Sequence, residues 1–154
     1  MSNFGFLQNK KEYKLFTAAA METERVYHSS AAMCAVGCRK ALELAVKWVY
    51  SADSSLRMPY KDNLQSLIHE PTFRFALDSN TWGKLPYIVK LGNLAVHTER
   101  NVQPEDALAS MKGLFEFIEW IDYCYGTDYE EKLAEAQRLR REGTAVVLTR
   151  KDNR

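Results

Sequence analysis

Hydrophobic residues recur at three- and four-residue spacing along most of the chain, which is typical of helices with one buried face. The pattern predicts a first helix over about residues 10–27 and a second over about 31–50, with Ser29 or Ser30 as its N-cap. Because only a short link joins these two helices, we expect them to pack antiparallel. The alternating pattern of strands is nearly absent.

In the middle of the chain, the sequence pattern predicts shorter helices. One short helix is expected over residues 63–69, and Pro71 fits the first turn of another. A longer helix over about 81–97 is expected, with Ser79 or Asn80 as its N-cap. Pro86 is expected either to be tolerated in the first turn of this helix or to start the helix proper. The fold class predicted from these elements is all-α.

The strongest apolar stripe begins after Pro104, a residue that suits the first position of a helix. Gly126 is expected to end this central helix. The residues of the stripe follow one another at helical spacing and are Leu108, Met111, Leu114, Phe115, Ile118, Ile121 and Tyr125.

Beyond Gly126 the composition changes. Residues 127–130 have the pattern of a capping box that opens a highly charged helix to about Arg141. Its apolar face is narrow, so we expect it to project from the bundle; that face holds Leu133, Ala136 and Leu139. The predicted organisation is a bundle over 1–126, a charged helix over 127–143, and a tail over 144–154 that is either a linker or the truncated start of a following domain.

Charge and cysteine usage narrow the functional classes. The 21 basic and 20 acidic residues give a net charge of +1, so no global attraction to polyanions is expected. No secretion signal or membrane-spanning stretch is apparent, which predicts a cytoplasmic protein. Cys34 and Cys38 lie one helical turn apart, but no second ligand pair accompanies them, so we expect buried core residues and no metal site.

Common nucleotide-binding and hydrolase motifs are absent from the sequence, and the most suggestive chemistry lies near its only GN-x-A-x-H pattern. Lys90, Asn93 and His97 share one face of the predicted helix. A cation, an amide and an imidazole in line suit a phosphate or a ribose hydroxyl. The alternative is structural: Asn93 and His97 satisfy buried backbone groups where Gly92 lets two helices touch.

A second polar group lies on the first two helices. Arg39 and Glu43 are spaced i, i+4, and Glu22 and Glu24 lie near the end of the first helix. In an antiparallel pair Arg39 is expected to meet one of these acids, a contact that more often sets helix register than performs chemistry.

Several of these features together resemble the all-helical amino-terminal domain of type I restriction-enzyme R subunits, whose fold is similar to the HEPN (higher eukaryotes and prokaryotes nucleotide-binding) bundles. The resemblance implies a HEPN-like up-down helical bundle. It covers about residues 4–125, and its motifs are the run Phe4 to Phe6, Ala20 with Glu22, Arg39-x-x-x-Glu43, Leu91-Gly-Asn-Leu-Ala-Val-His97 and the helix Leu114 to Trp120.

The resemblance also bears on catalysis. Catalytic HEPN ribonucleases use an arginine, then a polar residue, then a histidine four to six residues after the arginine. Asn93 and His97 match the last two, but Gly92 stands where the arginine would be. Lys90 offers a cation at another spacing without the bidentate contact of a guanidinium. The resemblance therefore implies a non-catalytic copy.

The parent protein implied by the resemblance is an ATP-dependent DNA translocase and endonuclease, a type I site-specific deoxyribonuclease. ATP and Mg²⁺ would belong to its other domains, and no cofactor is expected here. The implied partners are the other subunits of a restriction-modification complex, with a homodimer also open because HEPN-like bundles often pair. A further candidate role is contact with DNA phosphates, and the alternative is that the same basic residues form a solvated surface. The residues concerned are Lys10, Lys11, Arg138, Arg140 and Arg141. The alternative function is a free-standing HEPN-like ribonuclease or toxin.

Overall fold

The computed structural model describes residues 2–97 and 102–126, and the statements on the fold refer to these residues. Their regular structure is entirely helical, which confirms the all-α class. Two short 3-10 helices, Gly5–Leu7 and Lys11–Tyr13, lead into seven α-helices. These are α1 (Lys14–Tyr27), α2 (Ala31–Ala52), α3 (Leu64–His69), α4 (Pro71–Arg74), α5 (Ser79–Gly83), α6 (Leu85–His97) and α7 (Pro104–Tyr125).

Polar side chains cap the starts of α2 and α3, and Ser30 is one of the two caps that the sequence predicted for α2. The Ser30 hydroxyl accepts a hydrogen bond from the Met33 amide at 3.1 Å, and the Asn63 side chain accepts one from the Ser66 amide at 2.8 Å. Each cap satisfies a backbone donor that has no partner inside its helix. Pro71 and Pro104 lie in the first turns of α4 and α7, as predicted.

The segment predicted as a helix over 81–97 forms two helices, so the alternative in which the longer helix starts at Pro86 is the closer one, and the predicted N-cap at Ser79 or Asn80 was wrong. Asp78 caps α5 by accepting a hydrogen bond from the Thr81 amide at 3.0 Å, and α5 ends at Gly83. The second helix, α6, begins at Leu85. Pro86 explains the break, because proline lacks the N–H that would continue the helical hydrogen bonds from α5.

The first two helices are antiparallel, as predicted. The Trp48 indole near the end of α2 donates a hydrogen bond to the Glu12 carbonyl just before α1, at 2.5 Å. Helix α6 packs on α2 in the opposite direction, so that Gly92 lies against the early part of α2 at Ala35. The helices thus alternate in direction around α7, which contacts α1, α2 and α6.

The N-terminal segment is part of the core. The rings of Phe4 and Phe6 pack edge-on against Phe115 of α7, with centroids 5.6 and 6.2 Å apart. The carboxylate of Glu24 holds this segment in place by accepting a hydrogen bond from the Asn3 amide at 3.0 Å. Aromatic burial of this kind supplies much of the hydrophobic stabilisation of a small bundle.

Cys34 and Cys38 are both buried in this core, as their spacing predicted. Among the described residues, no helix is long and apolar enough to cross a membrane. The predicted charged helix over 127–143 and the tail over 144–154 lie outside the described residues, as do Arg138, Arg140 and Arg141.

The end of α7 is tied to the loop after α2. The Tyr125 hydroxyl donates a hydrogen bond to Asp53 Oδ2 at 2.6 Å, and the Ser55 hydroxyl donates one to Asp53 Oδ1 at 2.6 Å. The bonds from Ser55 and then from Tyr125 lower the pKa of Asp53. Burial, together with the negative charge of Asp53, raises the pKa of Tyr125 above its ordinary range.

Candidate functional site

The outer face of α6 carries the three polar residues that the sequence singled out. Lys90, Asn93 and His97 are all exposed, whereas Leu85 and Ile88 on the opposite face are buried. The structure therefore places the cation, the amide and the imidazole on one solvent-facing strip, available to a ligand rather than buried against backbone groups.

Gly92 is buried on the other side of α6, where it lies against Arg39 and Ala35 of α2. A Cβ placed on Gly92 would lie 2.5 Å from Arg39 Cβ and 3.2 Å from the carbonyl oxygen of Ala35. The first distance is far below ordinary van der Waals contact and the second is slightly below it, and the nearer atom, Arg39 Cβ, is fixed by the α2 backbone. The position just before Asn93 thus faces α2, and it has no room for any side chain.

Arg39 makes a different contact from the predicted one. Its side chain lies across Gly92, and its buried Nε has no hydrogen-bond partner among the described residues. The predicted pairing with Glu22 or Glu24 is wrong: Glu22 forms an ion pair with Arg25 at 2.8 Å, and Glu24 binds the N-terminal segment. Because Glu22 and Glu24 have other partners, Arg39 forms no ion pair with them and packs against Gly92 of α6.

Glu43 is half-buried and forms its ion pair one turn further along α2, with Lys47 at 3.0 Å. The structure therefore does not join Arg39 to Glu43, although both lie on the same helix. A pair of this exposure and spacing contributes about 0.3–0.5 kcal/mol to helix stability.

Lys10, a predicted phosphate contact, is buried instead. Its Nζ lies 2.8 Å from Asp122 Oδ1, and the Tyr13 hydroxyl donates to the same oxygen at 2.9 Å. The side chains of Lys10 and Asp122 are 4% and 0% exposed. Lys10 is thus not available to a nucleic acid, whereas its neighbour Lys11 is exposed.

Sequence reasoning missed this buried charge, although a signal was present. Glu116, Glu119 and Asp122 recur every three residues in the otherwise apolar α7, and all three are buried. Lys84 pairs with Glu116, as Lys10 pairs with Asp122. Acids at regular spacing on a buried helix require partners from elsewhere in the fold, because an unpaired buried charge is costly.

A groove of about 850 Å³ runs along α1 beside the N-terminal segment. It combines apolar side chains with exposed cations, and the sequence analysis assigned it no role. Its lining consists of Leu7, Gln8, Lys10, Lys11, Lys14, Thr17, Ala18, Met21, Glu22 and Arg25. Within the described part of the chain, no cluster of three or more His, Cys, Asp or Glu side chains is placed to hold a metal ion.

Comparison with protein families gives one match. The profile of a family described as a domain of unknown function, DUF4145, matches residues 21–142. The chain belongs to this family. The matched span of this DUF4145 chain includes α2, α6 and α7, and therefore both the Gly92 contact and the polar strip on α6. Comparisons with curated proteins and with solved structures give no match.

Proposed function

We propose that this chain is a non-catalytic interaction domain from the amino-terminal end of a type I restriction-modification R subunit. The proposal rests on the sequence resemblance described above and on one structural observation, the closed contact at Gly92. The parent protein would be an ATP-dependent DNA translocase and endonuclease. Nuclease chemistry and ATP use would belong to its other domains.

The Gly92 contact argues against ribonuclease activity in two ways. An arginine at position 92 would force α6 away from α2, since even a Cβ there meets Arg39 at 2.5 Å. It would also start from the inner face of α6, whereas Asn93 and His97 are on the outer face. Lys90 supplies a point charge on that face but lacks the planar fork that clamps a phosphate.

In this proposal the exposed surfaces of the bundle serve protein contacts. The partners would be the modification and specificity subunits, and the strip of Lys90, Asn93 and His97 is the first surface to test. Its polar, solvent-facing character suits the rim of a protein interface, where charged side chains influence association rate and register more than raw affinity.

The test is assembly of the full restriction complex. Deletion of the domain from the parent R subunit should weaken complex formation, measured by size-exclusion chromatography with light scattering. Lys90→Glu should weaken it in part, and Lys61→Glu, an exposed lysine in the loop before α3, serves as the matched control. Unchanged assembly and restriction after deletion would overturn the proposal. The proposal would also be overturned by a reading frame that ends near Arg154 and encodes no nuclease or helicase domain after it.

The second candidate, a free-standing HEPN-like ribonuclease, is favoured by the shared exposure of Asn93 and His97 on α6. Its test is incubation of the purified chain with RNA. Cleavage that is lost in His97→Ala and kept in His28→Ala, which removes another exposed histidine, would support it. The interaction-domain proposal predicts no cleavage by any of the three proteins.

A further inference from the structure

We propose that the groove along α1 binds an acidic amphipathic helix of a partner protein. Such a helix would present one apolar face of about three turns, with acidic side chains toward one end of that face. The groove shares no residue with the polar strip on α6, and its binding does not depend on the restriction-subunit proposal.

Two segments of the chain form the groove. One is α1, and the other is the N-terminal segment, which runs beside α1 in the opposite direction. This segment starts near the end of α1, where the Glu24 carboxylate accepts hydrogen bonds from the amides of Asn3 and Phe4 at 3.0 and 3.3 Å. It ends at Lys10, just before the helical turn that leads into α1. The groove therefore follows α1 along most of its length.

The middle of the groove is apolar and open. Leu7 of the N-terminal segment is buried, Met21 is half-buried and Ala18 is exposed. The part of α1 from Lys14 to Arg25 spans about 17 Å, at 1.5 Å per residue. A helix of about three turns has this length, and amphipathic helices bind by laying their apolar face in such grooves. An open, elongated surface suits a helix better than a small molecule, which a protein usually encloses.

The two ends of the groove differ in charge. Lys11 and Lys14 line the end where α1 starts, and both are exposed. Neither forms an ion pair with a carboxylate of the described residues. At the other end the exposed Arg25 lies 2.8 Å from its partner Glu22, so that their charges cancel. One end of the groove is therefore positive and the other is close to neutral.

The stability of α1 does not account for the two lysines. Positive charge at the start of a helix opposes the helix dipole, and α1 has no acidic side chain in its first turn. Glu12, an exposed acid nearby in the sequence, does not line the groove. Lys10, the remaining charged residue of the lining, is paired with Asp122. The net positive charge therefore comes from Lys11 and Lys14, and it favours acidic groups on the partner.

The lining favours a protein partner over a nucleic acid. Phosphates would use the two lysines, but they would gain nothing from the apolar middle. No aromatic ring is present among the described lining residues, so unpaired bases have no surface on which to stack. An amphipathic helix uses both features, because its apolar face covers Ala18 and Met21 while its acids reach Lys11 and Lys14.

The test begins with a selection of peptides by the full chain. Random peptides of about sixteen residues, long enough for a helix of about 24 Å, are displayed on yeast. Those that bind the folded protein are sequenced. We expect aspartate and glutamate toward one end of the selected peptides and apolar residues at three- and four-residue spacing. Selected peptides without an excess of acids, or the failure of any peptide to bind, would overturn the proposal.

Two substitutions then locate the binding site. Lys14→Glu should weaken binding of the selected peptides about three- to tenfold, because it replaces an attraction by a repulsion of similar size. Ala18→Gln should weaken it about tenfold, because it places a polar side chain under the apolar face of the peptide. The matched controls are Lys61→Glu and Ala109→Gln, at exposed positions outside the groove, and each should leave the affinity nearly unchanged. Equal effects at groove and control positions would overturn the proposal.

Both groove substitutions are compatible with the fold. Glutamate suits the start of a helix, and glutamine is a good helix former at an exposed position. A short DNA duplex serves as the competing ligand. If Lys14→Glu weakens binding of the duplex and leaves peptide binding unchanged, the lysines bind nucleic acid and the proposal is wrong.

Hydrogen exchange provides a second measurement that needs no substitution. A bound peptide should slow the exchange of α1 amides several-fold and leave the amides of α3 unchanged. The protection should decrease at high salt, because surface attraction is screened. Protection confined to other helices would contradict binding along α1. None of these experiments measures assembly of a restriction complex, so failure here is distinguishable from failure of the proposed function.

Discussion

Replacement of Gly92 by alanine tests the close contact between α6 and α2. The added methyl would lie 2.5 Å from Arg39 Cβ and 2.9 Å from Arg39 Cδ. The Cδ can move with its flexible side chain, but the Cβ is fixed by the α2 backbone. Restoring ordinary contact of 3.4 Å would require the two helices to separate by roughly 0.9 Å at this point.

Two opposing terms set how much Gly92→Ala changes the free energy of unfolding. Overpacking of a close-packed interior costs about 1–3 kcal/mol, and the fixed Cβ argues for the upper end of that range. Alanine regains about 1 kcal/mol over glycine through helix propensity. We therefore expect Gly92→Ala to lower the free energy of unfolding by about 1–2 kcal/mol, measured from urea denaturation curves.

The control is Gly83→Ala, because a Cβ at Gly83 meets no atom within 4 Å. Without a clash, this change should leave stability unchanged or raise it by up to about 1 kcal/mol. A Gly92→Ala variant as stable as the original chain would refute the reasoning. In a double-mutant cycle, Gly92→Ala should cost less stability in an Arg39→Gly background than in the original chain, whereas in an Arg39→Ala background, which retains the Cβ, its cost should be nearly unchanged.

Two further predictions concern buried and paired carboxylates. Lys10→Met would leave Asp122 charged and buried, so the free energy of unfolding should fall by about 3–5 kcal/mol. The control is Lys11→Met at the exposed neighbouring position, which should change the free energy of unfolding by less than about 0.5 kcal/mol. Equal effects of the two changes would contradict the buried ion pair between Lys10 and Asp122. Tyr125→Phe removes one of the hydrogen bonds that lower the pKa of Asp53. Because the folded pKa of Asp53 is lowered, its stabilising contribution is present above the unfolded value of about 3.9 and is lost as pH falls through the folded value. The thermal midpoint should therefore fall less steeply with acid in Tyr125→Phe, and an unchanged slope would count against this pairing.

Much of the fold was predictable because its signals are local. The periodic apolar positions identified α1, α2 and α7, and Ser30 is one of the two caps that the sequence predicted for α2. Hydrophobic spacing and capping act within a few residues, so they can be recognised without knowing what lies opposite. The shared face of Asn93 and His97 was predictable for the same reason.

Contacts between distant parts of the chain were not predictable in this way. Lys10 looked like a surface cation until α7 was seen to place Asp122 beside it, 112 positions along the chain. Arg39 looked like half of an ion pair, but α6 covers it at Gly92 and the acids of α1 bind elsewhere. Periodicity shows which face of a helix is buried. Only the packed bundle decides which charge, side chain or glycine that face meets, because the choice depends on the register between helices that are far apart in sequence.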